Sequence, residues 1–340
     1  MLKTRRGQTM RTMKKSRVFL GFFYLFSAYF LIQPAKLITA DEKYPTKQIK
    51  FIVPVAAGFG TDISCRKWVL LVEKSLGQEI IIENKVGAGT IIGATFLAKS
   101  KPDGYTIGAI MSSIFATTPH LTKLDFDPLT AFTPILQWAD IDQMLLVPMN
   151  SPIKTFKEFI EEGHKRQIQV SGTGMTSPDI AMEILAAETR INLKVVPFGG
   201  GVQAITAALG GQVDAAAVGG GYEYVKSGKM RIIARLNGKE EDTKYGVIPT
   251  LKGLGYNVEA LSFTGLVGPK GLPEHVKTKL EEDFTRALHD LSMREIIQSC
   301  GYTLMYRNSN DFDKYLKEVY ERSRKDFIRL GLGIYAKEKK

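Results

Sequence analysis

Short apolar runs alternate with segments of helical periodicity along most of the chain. The clearest unit comprises an apolar run at residues 49–55, a glycine-containing turn at 56–60 and an amphipathic segment at 61–76. A buried strand that leads through a glycine turn into a helix is typical of βαβ units, whose strands lie parallel in one sheet. Further apolar runs at residues 79–83 and 105–111 repeat the scheme. The sequence therefore predicts an α/β fold.

Two stretches of extended character interrupt the repeat and predict a second lobe. Residues 132–148 lead out of the initial βα units, and residues 258–267 lead back to helices near the C-terminus. Between them the alternation of strand, turn and helix restarts, so we expect two βα domains joined by a two-segment hinge. The predicted boundaries are 41–140 for the first part of lobe 1, 141–260 for lobe 2, and 261–340 for the return to lobe 1 with the C-terminal helices.

The first 40 residues differ from the rest because they carry eight Lys or Arg side chains and no Asp or Glu. Their apolar run, residues 18–32, is shorter than the ~20 residues that a membrane-spanning helix needs, and it fits the central region of a secretory signal peptide. We expect residues 1–40 to be a signal peptide for export. Because Ile38 matches poorly the small residue that cleavage near Thr39-Ala40 requires, an uncleaved N-terminal anchor is the alternative.

The net charge argues against a nucleic-acid partner. The formal charge is +11 at pH 7, but the N-terminal segment contributes eight of these charges, so the rest of the chain carries only +3. The basic character of the whole sequence therefore says little about nucleic-acid binding.

Cys65 and Cys300 are the only two cysteines. Two cysteines cannot build a disulfide framework or, by themselves, a zinc site. The sequence leaves open whether they form one disulfide or remain two thiols.

Several strands end in turns rich in Gly, Ser and Thr at the start of a helix. Such turns suit anions, because the first helical N–H groups are unpaired and the helix dipole adds positive potential. Neutral donors can also hold a carboxylate and release it again without covalent chemistry. The predicted ligand-binding residues are Gly58, Phe59, Gly60, Thr61, Asp62, Ser112, Ser113, Thr173, Gly174, Met175, Thr176, Ser177, Phe198, Gly199, Gly200 and Gly201.

A purely structural interpretation of the same turns is the alternative. Glycine is common in ordinary βα connections, where Thr61 or Ser177 would serve only as a helix cap. Asp62 is the acidic residue within these turns. It could contact an amino or hydroxyl group of a ligand, or it could complement the N-terminus of its helix.

Sequence signatures of catalysis and of cofactor binding are missing. The chain has no H-E-x-x-H, G-x-S-x-G or P-loop motif, and its four histidines are isolated from catalytic partners in sequence. Gly199, Gly201 and Ala204 imitate the dinucleotide fingerprint G-x-G-x-x-A, which requires an acidic residue ~20 residues further on at the end of a strand. Asp214 comes too early for this role, and Glu223 lies in a turn-like region. We therefore expect no catalytic residue, no metal site and no cofactor.

Several motifs together resemble one family of receptors. In the first half they are Tyr44-Pro45, Pro54-Val55-Ala56-Ala57-Gly58-Phe59-Gly60-Thr61-Asp62, Glu83-Asn84, Gly87-Ala88-Gly89 and Pro102-Asp103-Gly104-Tyr105-Thr106. In the second half they are Val196-Pro197-Phe198, Leu209-Gly210-Gly211-Gln212-Val213-Asp214, Ser227-Gly228-Lys229-Met230-Arg231 and Pro249-Thr250. Over roughly residues 44–332 the chain resembles the solute receptors of tripartite tricarboxylate transporters, the Bug-type periplasmic receptors.

The resemblance implies a type II periplasmic-binding-protein fold whose lobes close on a small carboxylate. It further implies that backbone amides, hydroxyls and water in the turns hold the ligand, and that membrane permease subunits receive it in the periplasm. We expect a monomer, because such a receptor must dock and release. The alternatives are a ligand-sensing module for a sensor kinase and an exported enzyme.

The chain departs from the family pattern within the turns. Ala57 and Phe59 stand where proline and glycine are usual, Met175 where a small polar residue is common, and Gly199 where lysine is frequent. Phe59 and Met175 would make the cleft more apolar. We therefore expect a mono- or dicarboxylate with a hydrophobic or aromatic portion rather than a tricarboxylate.

Overall fold

The computed structural model describes residues 44–336 apart from 199, 239–240 and 244–245. The predicted signal peptide at residues 1–40, and the uncleaved anchor that is its alternative, lie outside this range. None of the helices built from the described residues combines the length and the apolar character that crossing a bilayer requires.

The strands and helices are numbered in chain order. The strands are β1 (Ile49–Val53), β2 (Ile80–Asn84), β3 (Thr106–Met111), β4 (Phe132–Ile141), β5 (Gln143–Pro148), β6 (Ile168–Gly172), β7 (Leu193–Pro197), β8 (Ala215–Gly219), β9 (Met230–Arg235), β10 (Glu241–Thr243), β11 (Gly246–Ile248), β12 (Phe263–Pro269) and β13 (Tyr302–Arg307). The helices are α1 (Gly60–Leu76), α2 (Ile91–Ala98), α3 (Ser113–Ala116), α4 (Thr118–Leu121), α5 (Phe156–Lys165), α6 (Ser177–Thr189), α7 (Gly201–Leu209), α8 (Tyr222–Lys226), α9 (Glu274–Leu288), α10 (Leu291–Ser299) and α11 (Ser309–Leu330).

Two mixed sheets form the centres of two lobes. The first-lobe sheet has the order β13-β4-β12-β3-β1-β2, and the second-lobe sheet has the order β7-β6-β8-β5-β9. Strands β1, β2 and β3 are parallel to one another, as are β6, β7 and β8, whereas β12 and β5 run antiparallel to their neighbours. The parallel strands of each lobe therefore end at one common edge of their sheet.

Aromatic side chains fill the core of the first lobe. The ring of Trp68 on α1 lies 4.7 Å from that of Trp138 on β4 and 4.8 Å from that of Phe284 on α9, measured between centroids. Trp68 Nε1 donates a 2.9 Å hydrogen bond to the Phe284 carbonyl, so the one polar atom of this buried ring is paired. Burial of a large apolar side chain stabilises a fold by about 1.5–3 kcal/mol. These contacts fix α1, and with it the turn from which α1 begins.

The chain passes between the sheets at Asp142, the single residue between β4 and β5. The Asp142 carboxylate accepts hydrogen bonds from Arg235 Nη2 at 2.7 Å, Thr303 Oγ1 at 2.9 Å and Tyr222 Oη at 2.9 Å. These donors lie on β9, β13 and α8 and so belong to both lobes. A second crossing follows β9 and leads back to β12.

Helix α11 packs against both lobes. Phe312 and Leu316 belong to a hydrophobic cluster of the first lobe, whereas Phe327 belongs to the cluster around the second sheet. Arg329 adds a 3.6 Å ion pair with Glu188 on α6.

The sequence pattern misses several strands. It does not identify β9, the β10–β11 hairpin or β13, and the strand predicted from residue 258 begins only at Phe263. Strand β13 is half-buried at the edge of its sheet, so its residues show no long apolar run.

Candidate functional site

The turns after β1, β2 and β3 come together at one edge of the first-lobe sheet. Asn84, at the end of β2, donates from Nδ2 to the Val55 carbonyl at 2.9 Å and to Asp62 Oδ1 at 2.8 Å. Thr61 Oγ1 lies 3.8 Å from Met111 Sδ at the end of β3. Open α/β sheets bind ligands beyond the carboxyl ends of their strands, so this edge is the candidate site of the first lobe.

Asp62 holds the first-lobe turn in shape. Its Oδ2 accepts hydrogen bonds from the Gly58 N–H and from Arg66 Nε, both at 2.9 Å, and its side chain is only 2% exposed. Burial acts to raise the pKa of this carboxyl, but hydrogen bonds from Arg66, Asn84 and Gly58 outweigh it and hold the pKa below its ordinary value. The carboxylate is thus engaged within its own lobe.

Tyr302, at the start of β13, closes the same turn. Its Oη lies 3.0 Å from Thr61 Oγ1, and burial raises its pKa to about 12, so the hydroxyl stays protonated. A Cβ on Gly60 would lie 2.9 Å from Tyr302 Oη and 3.1 Å from Cys300 Cβ, which favours glycine at this position. Cys65 and Cys300 are free thiols, the first buried and the second half-buried.

Ser112 and Ser113 follow β3 beside a strained loop. Ser112 is buried, and Ser113 Oγ lies 3.1 Å from Thr90 Oγ1. Thr90 has a φ of 80°, a left-handed conformation that a β-branched residue rarely adopts. Because such outliers cluster at ligand-binding sites, the loop before α2 joins the candidate site.

Asp179 holds the corresponding turn of the second lobe. Its Oδ1 accepts from the Thr173 N–H at 3.2 Å, and its Oδ2 accepts from the N–H and the hydroxyl of Thr176 at 2.9 and 3.0 Å. A Cβ on Gly172 would lie 1.7 Å from Asp179 Oδ1, so the end of β6 requires glycine. Burial raises the pKa of Asp179 despite these hydrogen bonds.

Met175 lies at the tip of this second-lobe turn. It has a φ of 59°, in the left-handed region, and follows Gly174 with a φ of 91°. The Met175 side chain is 36% exposed. Because such strain is common at functional sites, Met175 remains a candidate residue of the site.

The turn after β7 leads into α7. Phe198 packs partly against a second-lobe hydrophobic cluster, and Gly200 precedes α7 without a side-chain cap. The first helical hydrogen bond runs from the Ala204 N–H to the Gly200 carbonyl at 2.9 Å. The N–H groups of Gly201 and the two residues after it therefore have no helical partner. Gly199 lies outside the described residues.

The two edges meet beside the crossings between the lobes. A Cβ on Gly301, just before β13, would lie 3.3 Å from the Tyr222 ring and 3.9 Å from Gly220 Cα, both of which follow β8. Ser177, at the start of α6, donates a 2.6 Å hydrogen bond to the Leu261 carbonyl on the second crossing. The predicted residues thus fall into two groups, one on each lobe, at the same junction.

The sequence pattern does not identify Thr90, Tyr222 or Tyr302. The run Gly219-Gly220-Gly221 after an apolar segment is the same kind of turn as the predicted ones and could have indicated Tyr222. The motif Gly87-Ala88-Gly89 marks the loop before Thr90. Tyr302 carries no such signal, because β13 itself is not recognisable in the sequence.

The donors of these turns are neutral. Residues 54–61, 112–113, 172–177 and 197–202 contain no Lys, Arg or His. In the part of the chain that the structure describes, no three His, Cys, Asp or Glu side chains are grouped so as to hold a metal ion. The arrangement can bind an anion through backbone N–H and hydroxyl groups.

Comparison with known sequences gives matches along most of the chain. A family model described as the tripartite tricarboxylate transporter family receptor matches residues 65–332. The chain is also 30% identical over 296 residues to the "UPF0065 protein in gbd 5'region" of Cupriavidus necator, and the match covers 86% of this chain and 90% of that protein.

Solved structures share the arrangement of two lobes. The periplasmic binding protein BugD superposes with a TM-score of 0.72 at 26% identity and covers 85% of this chain and 99% of its own. MatC of Rhodopseudomonas palustris with bound malate superposes with a TM-score of 0.68 at 25% identity, over 83% of this chain and 99% of its own. The prediction of an α/β, two-lobed fold of the periplasmic-binding-protein type is confirmed.

Proposed function

Because this chain belongs to the tripartite tricarboxylate transporter receptor family, we propose that it binds a small organic carboxylate between its lobes outside the cytoplasm and delivers it to a membrane permease. Its role is capture and release without chemical turnover. The convergence of neutral, donor-rich turns from both lobes at one junction carries the proposal. The malate in the related MatC structure supports the choice of a carboxylate.

The proposed ligand contacts come from both lobes. The first-lobe turns offer backbone N–H groups at the start of α1, and the second-lobe turns offer them at the start of α7. Closure of the lobes about Asp142 would bring both sets onto one ligand. The proposed contacts of the carboxylate are Gly60, Thr61, Ser112, Gly200 and Gly201. Gly58, Thr173 and Thr176, whose donors Asp62 and Asp179 already engage, are proposed to contact the rest of the ligand.

A thermal-shift screen tests the binding step. The full chain is expressed with its N-terminal segment, recovered from the periplasm of the host, and heated with carboxylates, sugars and nucleotides. A ligand at a hundred times its Kd stabilises the folded state by about 2.7 kcal/mol, so a carboxylate that binds should raise the Tm by several degrees. A shift with sugars or nucleotides and none with carboxylates would contradict the proposal.

Delivery and export are tested separately. Deletion of the gene should abolish uptake of the radiolabelled ligand at low concentration, and re-expression should restore it. Normal uptake with altered ligand-dependent gene expression would favour a sensing role instead.

N-terminal sequencing of the periplasmic protein should find a chain that begins near Asp41, whereas an intact N-terminus would indicate an anchor. Gel filtration should give a monomer.

A further inference from the structure

Two acidic side chains, Asp179 and Glu183, lie near the turn at residues 172–177 of the second lobe. The Asp179 carboxylate is 2% exposed, and both of its oxygens already accept hydrogen bonds from Thr173 and Thr176. Glu183 lies one helical turn further along α6 and is half-buried. Neither carboxyl forms an ion pair with a Lys or Arg side chain in the part of the chain that the structure describes. A second ligand carboxylate at this turn would meet like charge and donors that are already in use.

Apolar side chains project from the same turns. Phe59 precedes α1 with 63% of its surface exposed, Val202 in the first turn of α7 is also 63% exposed, and Met175 is 36% exposed. Large apolar side chains that remain exposed next to a polar binding site mark surface that a ligand can cover.

We propose that this receptor selects compounds with one carboxylate and an aromatic or branched apolar body over di- and tricarboxylates. The inference rests on the proposed carboxylate-binding function and deepens it. One carboxylate takes the neutral donors of the turns, and the apolar body covers Phe59, Met175 and Val202. The charge of Asp179 excludes a second carboxylate from the turn at residues 173–176.

Isothermal titration of the periplasmic protein with four acids tests the selectivity. The probes are 3-phenylpropionate and 4-methylpentanoate, each with one carboxylate, against malate and citrate. We expect the two apolar acids to bind at least about tenfold more tightly than malate or citrate. Tighter binding of malate or citrate would overturn this inference while leaving the proposed function intact. Failure of all four acids to bind would overturn this inference, and the proposed function would fall with it only when no carboxylate of the thermal-shift screen binds.

Two exposed side chains allow the apolar contacts to be tested. Phe59→Ala and Met175→Ala should each weaken binding of 3-phenylpropionate by about tenfold, because each loses an apolar contact with the ring. Leu70→Ala is the matched control, since Leu70 is 60% exposed on α1 but is not part of the turn. Equal affinities for wild type, F59A and M175A would overturn the proposal.

Asp179→Asn tests the electrostatic part. Removal of the charge should raise the affinity for malate relative to 3-phenylpropionate by about tenfold. The ratio of the two affinities is measured on one preparation, so any loss of folded protein cancels. An unchanged ratio would show that Asp179 does not set the selectivity.

Discussion

The first-lobe turn at residues 56–62 and the second-lobe turn at residues 172–177 are each held by a buried aspartate, but the electrostatic surroundings of the two aspartates differ. Asp62 and Asp179 each lie in the first turn of a helix, each is almost fully buried, and each accepts backbone hydrogen bonds that fix the preceding glycine turn. Asp62 is also paired with Arg66 at 2.9 Å, whereas no described cation lies within ion-pair distance of Asp179. Two turns with similar sequences are therefore unequal as sites for an anion.

The difference also appears in how tightly each turn is packed. A Cβ on Gly172 would meet Asp179 Oδ1 at 1.7 Å, but a Cβ on Gly60 would meet the end of the Tyr302 side chain at 2.9 Å. Gly172→Ala should therefore lower the free energy of unfolding by about 3 kcal/mol and Gly60→Ala by about 1 kcal/mol. Urea denaturation of both variants measures this. Equal losses would mean that the two turns are equally adaptable.

Removal of the aspartate charge should lower the free energy of unfolding more at Asp62, in the first lobe, than at Asp179, in the second lobe. Asp62→Asn breaks the bond to Arg66 and leaves donors without a charged acceptor, so it should destabilise the fold by about 2 kcal/mol at pH 7. Because the folded-state pKa of Asp62 is lowered, its stabilising contribution is complete above the ordinary pKa and is lost as the pH falls through the folded-state value. The difference in the free energy of unfolding between wild type and D62N, measured by urea denaturation, should therefore shrink in acid. A difference that persists in acid would contradict the ionic explanation.

Asp179 should show the opposite pH dependence. Burial raises its folded-state pKa, so the protonated form is favoured by folding, and the wild type should gain stability from this group as the pH falls through that value towards the ordinary pKa. Asp179→Asn should lack this gain and should lie within about 1 kcal/mol of wild type at pH 7, because an unpaired buried charge is removed. A parallel response of D62N and D179N to pH would remove the distinction between the turns.

The sequence predicts the positions of the two turns but not the difference between their electrostatic surroundings. The sequence reveals Gly58, Gly60 and the Gly172–Ser177 region, because glycine and small hydroxyl residues between a strand and a helix predict a turn without reference to distant residues. The environment of Asp179 is not recognisable, because the absence of a cation depends on which distant side chains the fold brings near. Tyr302 contacts Thr61 across 241 positions, and such a pairing leaves no local pattern.

The smallest expected effect compares the two strained residues of the site. Met175 and Thr90 have φ values of 59° and 80°, and glycine adopts this region without the cost of about 1 kcal/mol that other residues bear. Met175→Gly should therefore raise the free energy of unfolding by about 1 kcal/mol. Thr90→Gly should give almost no net change, because it also loses the 3.1 Å hydrogen bond with Ser113. Denaturation of both variants tests this, and destabilisation by M175G would show that the methionine side chain packs within its own lobe. Stabilisation would instead show that packing of the methionine side chain within the protein does not offset its backbone strain.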